Sequence, residues 1–233
     1  MSTMTLELKD NVHVLTLTNT EQENMFTQDV LNEYLTAFDE VESYQGNTAL
    51  MITCEHEKTF CNGINLQWGL SQSEAIAKTF IKTLETVLYR LAMLNAPSVC
   101  CINGNAYAGG AILAAAADYR IMREDKGRFC FPEINLKIPF TPMMYDIINL
   151  LPNKHILQDM ALRGKALTGV ECKAADVVHE LLPQHELQNK TLSYTKELAE
   201  LDRVTYTTIK HGLRADVAKH KEQRTKNKEQ ILG

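Results

Sequence analysis

Two loops and one glutamate carry the residue types in this sequence that could do chemistry. The first loop, Phe60-Cys61-Asn62-Gly63-Ile64-Asn65-Leu66, follows the apolar run ALMITC at 49–54; the second, Asn103-Gly104-Asn105-Ala106-Tyr107-Ala108-Gly109-Gly110, follows SVCCIN at 98–103. Each leaves a strand-like run, passes through glycine and enters a helix-like stretch. Glycine lets backbone N–H groups approach a ligand closely, and a helix N-terminus adds unsatisfied donors and the positive end of the dipole. If neighbouring strands set the loops side by side, one N–H from each converges on a single oxygen, the arrangement that stabilises an oxyanion. Either loop alone is accounted for by a tight turn and close helix–strand packing. Two of them beside a buried helical run favour the site.

The glutamate is Glu133, within Phe129-Cys130-Phe131-Pro132-Glu133-Ile134-Asn135-Leu136. A carboxylate among Phe, Pro, Ile and Leu is poorly solvated if it points inward, which raises its pKa and suits it to moving protons near neutral pH. The alternative is a glutamate at a strand end facing solvent. Other chemistries lack their residues. There is no G-x-x-x-x-G-K-[ST] or G-x-G-x-x-G for nucleotide phosphates, no G-x-S-x-G elbow, and no cysteine in an activating context.

The 233 residues carry 24 Lys and Arg against 29 Asp and Glu, a formal charge of −5. That balance excludes a strongly basic nucleic-acid binder. At 45% hydrophobic and 23% charged, the chain is an ordinary globular protein, large enough to bury an active site without a disulfide or metal staple. Six cysteines without C-x-x-C pairing suit reduced, buried thiols in the cytoplasm, and the histidines show no ligand spacing, so no metal is expected. The N-terminal MSTMTLELKDN does not read as a secretory signal, Ile231-Leu232-Gly233 does not read as a peroxisomal address, and no run is expected to span a membrane.

The elements that must position the loops follow from periodicity. LELKDNVHVLTLTN alternates as two antiparallel strands around Lys9-Asp10-Asn11. Thr27 is an N-cap candidate for an amphipathic helix bearing Val30, Leu31, Tyr34, Leu35, Phe38 and Val41. A second helix fits 73–95 before Pro97, and AILAAAA reads as a helix buried on all sides. Strands at 119–122 and 128–131 and a helical last third complete one α/β domain with a helical appendage. From Lys210 onward, seven Lys and Arg face three acids, a local +4. This reads as a solvated helix end, or as a basic surface near an anionic ligand or neighbouring subunit.

Together the pieces resemble the crotonase superfamily, the enoyl-CoA hydratase/isomerase proteins. The resemblance rests on E-N-M-F before the first helix, F-C-N-G-I-N-L, N-G-N-A-Y-A-G-G-A-I-L with Asp118-Tyr119-Arg120, and F-P-E-I-N-L, in that order and up to about Glu180. It implies a crotonase-like spiral of ββα repeats over residues 1–180, a helical trimerisation region over 181–233, and assembly as a homotrimer or dimer of trimers. It also implies an acyl-CoA substrate, with no cofactor beyond the coenzyme A the substrate carries, and neither nucleic acid nor membrane as partner. By position, Ile64 and Gly109 match the family's two oxyanion-hole N–H groups. Gly63, Asn65 and Leu66 match the loop that contacts coenzyme A, where Asn65 replaces the family's usual Asp.

The family's hydratases use two glutamates, and the first would fall at position 112, which is Ile112 here. Glu133 stays alone, and one base beside an oxyanion hole can take a proton from C2 of a 3-enoyl thioester and return it at C4. The resemblance therefore favours a Δ3-Δ2-enoyl-CoA isomerase, and MREDKGRFCFPEINLKI looks most like that branch, including its plant peroxisomal members. A hydratase, another enolate chemistry on the same hole, or a non-catalytic acyl-CoA-binding homologue are the alternatives, the last suggested by Ile112, Asn65 and Ala108. Phe60, Phe131, Ile112 and Leu136 are candidates for the apolar acyl pocket or for plain core.

Overall fold

The computed structural model describes residues 2–221. The chain opens with β1 (Met4–Lys9) and β2 (Val12–Leu17), antiparallel with Lys9 opposite Val12. Asp10 and Asn11 both take positive φ, 47° and 62°, as a two-residue hairpin turn demands. A 3-10 turn at Thr20–Gln22 leads to α1 (Gln28–Ser43), whose N-cap Thr27 accepts from the Val30 N–H.

Three strand–strand–helix units follow. The first is β3 (Ala49–Cys54), β4 (Thr59–Cys61), α2 (Leu66–Leu70) and α3 (Glu74–Ala92). The second is β5 (Ser98–Ile102), β6 (Asn105–Tyr107) and α4 (Gly109–Ala116), and the third is β7 (Tyr119–Arg123), β8 (Arg128–Cys130) and α5 (Glu133–Leu136). The rest is α6 (Pro142–Ile148), α7 (Lys154–Arg163), β9 (Leu167–Thr168), α8 (Gly169–Ala174), β10 (Glu180–Leu182), α9 (Gln184–Ala199), α10 (Arg203–Leu213) and α11 (Ala215–Ala218).

The first strand of each unit joins a six-stranded sheet, β1-β2-β3-β5-β7-β10, and the second joins a four-stranded sheet, β4-β6-β8-β9. Between successive units all paired strands run parallel. The chain therefore spirals, and equivalent loops of successive units lie next to one another. The short strands β4, β6, β9 and β10 have no counterpart among the elements expected from periodicity, because runs this short rarely carry a readable period. The long helix ends at Ala92 rather than 95, with Met93 as C-cap. Pro142 starts α6 at its first turn, where its missing N–H costs no helical bond.

Strands β3 and β5 are buried on both faces, which is why they read as unbroken apolar runs. Leu50, Ile52 and Cys100 pack into the core shared with α1, α3 and α4, whereas Ala49, Met51 and Cys101 pack into a second core under α9. The adjacent Cys100 and Cys101 thus face opposite sides of one strand. Every residue of α4 is buried.

Two cations at the start of the basic C-terminal segment, Lys210 and Arg214, are withdrawn from solvent, whereas Lys219 keeps a solvated side chain. Lys210 is 5% exposed, and its Nζ lies 2.9 Å from Asp118, while Arg214 reaches the other Asp118 oxygen at 2.9 Å. Arg214 also donates to Ala92 O and Ala116 O, at the C-terminal ends of α3 and α4. Arg120 donates to Ala114 O and Ala117 O, and Arg203 to Val41 O and Tyr44 O at the end of α1. These cations satisfy orphan carbonyls at the negative ends of three helices. Arg224, Lys226 and Lys228, with the C-terminal tripeptide, lie outside the described residues.

Candidate active site

The two glycine loops meet because β4 and β6 are parallel neighbours. The turn at Glu23–Phe26 rivets the first loop in place. The Phe26 N–H donates to Gly63 O at 2.7 Å and the Asn65 N–H to Phe26 O at 3.0 Å, while the Asn62 N–H reaches Glu23 O and the Asn24 amide reaches Phe60 O. In this parallel bridge Phe26 bonds to the residues either side of Ile64, so the Ile64 N–H points away from it. The second loop ends at α4, whose first residue is Gly109. Among the described residues, neither the Ile64 nor the Gly109 N–H has a protein acceptor.

Close approach of the loops depends on missing side chains. Gly63 has φ +76°, and a methyl placed on it would lie 2.8 Å from the Gly109 nitrogen; one on Gly110 would lie 2.2 Å from Cys61 O. Between the donors sits Ala108, at φ 48° and ψ −125°. Its φ matches that of Glu23 and Lys137, but its ψ takes it out of their left-handed helical well. For a residue with a Cβ this costs of the order of 1–3 kcal/mol. The Ala108 N–H is tied to Cys130 O at 3.0 Å, and its carbonyl accepts the first helical bond of α4, from Ile112.

Ile64 and Gly109 both line a cavity of about 680 Å³. Glu133 enters it as the first residue of α5, directly after Pro132, and is only 8% exposed. The strand-end, solvent-facing alternative for Glu133 is thereby set aside. Its Oε2 is buried without a partner, and burial pushes the carboxyl up to about 7, against a smaller opposing pull from a backbone N–H. Among the described residues, Glu21 is the other acid on the lining, at the exposed rim. The walls are otherwise largely apolar, with Ile81 and Leu84 from α3, Ile112 from α4 and Met144 from α6.

Of the sequence candidates, Ile64, Gly109, Asn65, Leu66, Glu133, Ile112 and Leu136 line this one cavity. Gly63 stands behind the wall as a spacer. The Asn65 side chain accepts from the Trp68 N–H at 2.9 Å and so caps α2, while its amide reaches Gln22 at 3.4 Å. Phe60 and Phe131 do not line the cavity; both are fully buried in the main core. The sequence reading missed Met25, Tyr107, Thr141 and Met144 on the lining. Met25 sat within the E-N-M-F turn and Tyr107 beside Ala108, so proximity to the motifs was their available signal. Among the described residues, no cluster of three or more His, Cys, Asp or Glu is placed to hold a metal, and no helix is long and apolar enough to cross a membrane.

The sequence model of the enoyl-CoA hydratase/isomerase family matches residues 7–233. Enoyl-CoA delta isomerase 3 of Arabidopsis thaliana is 30% identical over 178 residues, covering 75% of this chain and 74% of the relative. A putative enoyl-CoA hydratase of Thermus thermophilus is 29% identical over 196 residues, covering 82% and 74%. In fold, an enoyl-CoA hydratase from Mycobacterium ulcerans matches with a TM-score of 0.87 at 20% identity, over 100% of each chain. With two parallel glycine loops, a buried carboxylate and a family match along nearly its whole length, the chain belongs to the enoyl-CoA hydratase/isomerase family, in the crotonase superfamily.

Proposed function

We propose that the protein is a Δ3-Δ2-enoyl-CoA isomerase working with Glu133 as its single acid–base group. One observation carries this reading: Glu133 is the lone buried acid on the cavity wall among the described residues, and the wall of α4 presents Ile112. The Glu133 carboxylate removes a proton from C2 of a 3-enoyl thioester. The C2–H electrons form the C1–C2 double bond, and the negative charge that reaches the thioester oxygen is held by the Ile64 and Gly109 N–H groups. Each such donor is worth about 3–4 kcal/mol in comparable holes. The carboxylic acid then delivers the proton to C4, the double bond settles between C2 and C3, and Glu133 is again a carboxylate. A carboxyl near pH 7 is matched to both halves of that transfer.

Asn65 and Leu66 lie on the same cavity and are proposed, with Gly63 as the spacer, to shape the coenzyme A side; no further cofactor is invoked. A hydratase is the second reading, favoured by the similarity to the Thermus thermophilus protein. Purified protein given a 3-enoyl-CoA in ¹⁸O water decides: isomerisation gives the conjugated 2-enoyl-CoA without label, whereas hydration gives labelled 3-hydroxyacyl-CoA. CoA-ester binding with neither product would identify a non-catalytic homologue.

The assembly we propose is a homotrimer or dimer of trimers, supported by the exposed apolar pair Ile209 and Leu213, one turn apart on α10 and 58% and 81% exposed. Light scattering coupled to size exclusion reads the subunit count. The proposed compartment is the cytoplasm, on the strength of six buried, unpaired cysteines.

A further inference from the structure

Ala108 is the one place where the site keeps a side chain at a backbone conformation suited to glycine. It precedes the Gly109 donor as Gly63 precedes the Ile64 donor, and these two preceding residues face each other. A methyl built on Gly63 would fall 3.0 Å from the Ala108 Cβ, 2.8 Å from the Gly109 nitrogen and 3.1 Å from Tyr107 O. The Ala108 methyl therefore occupies the gap between the loops, against the bare face of Gly63, while lining the cavity. Behind it, the Ala108 N–H bond to Cys130 O anchors the loop to β8, and the Ile112 N–H bond to Ala108 O begins α4. A glycine here would be free of strain and would leave the gap unfilled. Strain kept at an active site that the surroundings over-determine points to a role in preorganisation.

We infer that Ala108 is a positioning residue: its methyl, wedged against Gly63, sets the separation at which the Ile64 and Gly109 N–H groups converge on the substrate's thioester oxygen. The inference rests on the proposed oxyanion hole, and extends it from the donors to the spacer between them. Such a spacer acts on the transition state rather than on ground-state binding, so its loss lowers kcat with KM held.

The experiment compares wild type, Ala108→Gly and Ala108→Ser, the serine keeping the Cβ. The first readout is kcat and KM on a 3-enoyl-CoA. The second is the red shift in absorbance of a bound conjugated dienoyl-CoA, which reports polarisation of its carbonyl without requiring turnover. Ala108→Gly is expected to lower kcat at least tenfold with KM within about twofold, to shrink the red shift, and to melt at or above the wild-type Tm. Ala108→Ser is expected to restore both readouts. Wild-type kcat and red shift in Ala108→Gly overturn the inference. So does a loss shared equally by Ala108→Ser, or a wild type that gives no red shift. If the wild type gives the shift but does not turn over 3-enoyl-CoA, the isomerase reading falls, while a shift lost in the glycine variant and kept in the serine variant still supports the spacer.

Discussion

Gly63 and Gly109 are packed so closely that a single methyl on the first would stand 2.8 Å from the backbone nitrogen of the second. The two residues belong to different units of the spiral, joined through the parallel pair β4 and β6. Their contact brings Ile64 and Gly109 to one cavity, which Glu133 of the third unit also lines.

Replacing Gly63 with Ala meets both the clash and the φ of +76°. The expected outcome is a loss of about 1–3 kcal/mol in stability. Turnover is expected to fall by roughly 10²–10³ if one donor is lost from the hole. Urea denaturation and steady-state kinetics on a 3-enoyl-CoA measure the two separately.

Glu133→Gln removes the proposed base and keeps its shape. We expect kcat on a 3-enoyl-CoA to fall by about 10²–10⁴, with Tm at pH 8 unchanged or raised because a buried, partnerless carboxylate is gone. Near-wild-type turnover in this variant would exclude Glu133 as the base.

The same carboxyl, raised by burial from 4.5 to about 7, gives activity and stability opposite pH dependences. Proton abstraction needs the ionised form, so kcat/KM falls as pH drops below about 7. The native state holds a proton there that the unfolded chain has released, so this group's contribution to stability is fully present below about pH 4.5. It is lost as pH rises through 7, on the order of 3 kcal/mol in all. Denaturation at pH 5, 6, 7 and 8 should show that slope in wild type and not in Glu133→Gln.

Asp118 faces two cations, the buried Lys210 and the part-buried Arg214, and also accepts from the Ser98 N–H and hydroxyl. Burial pulls Lys210 down to about 8 in spite of its partner. Asp118→Asn leaves uncompensated buried charge and is expected to cost about 3–5 kcal/mol, a fall in Tm of roughly 6–20 °C for a chain of this size. Combining it with Lys210→Met should recover part of the loss by calorimetry.

The six cysteines are buried, and burial pushes Cys54, Cys61, Cys100 and Cys172 up to about 12 and Cys101 and Cys130 to about 11. Thiols held protonated and inaccessible should resist iodoacetamide under native conditions at pH 8. Mass spectrometry is expected to show little labelling until denaturant is added, with turnover unaffected beforehand.

The amino-acid sequence by itself determined the long elements and the chemistry-bearing residues. The period of α1, the all-apolar α4, the twin strands β3 and β5 and the glycine loops were all legible, because helix and strand periods and glycine's steric freedom are local properties. Glu133 stood out through its apolar neighbours, yet whether it faced solvent or cavity depended on α5 turning inward after Pro132. Tertiary structure alone decided that Phe60 and Phe131 belong to the core and Met144 to the cavity, since helices and loops far apart in sequence share that wall. It also turned Lys210 and Arg214 from apparent surface charges into a buried and a part-buried partner of Asp118, placed 92 and, for Arg214, 96 positions away along the chain. A charge pattern read along the chain records which groups are ionised. Which of them are desolvated, and what they then face, is fixed only when the spiral closes.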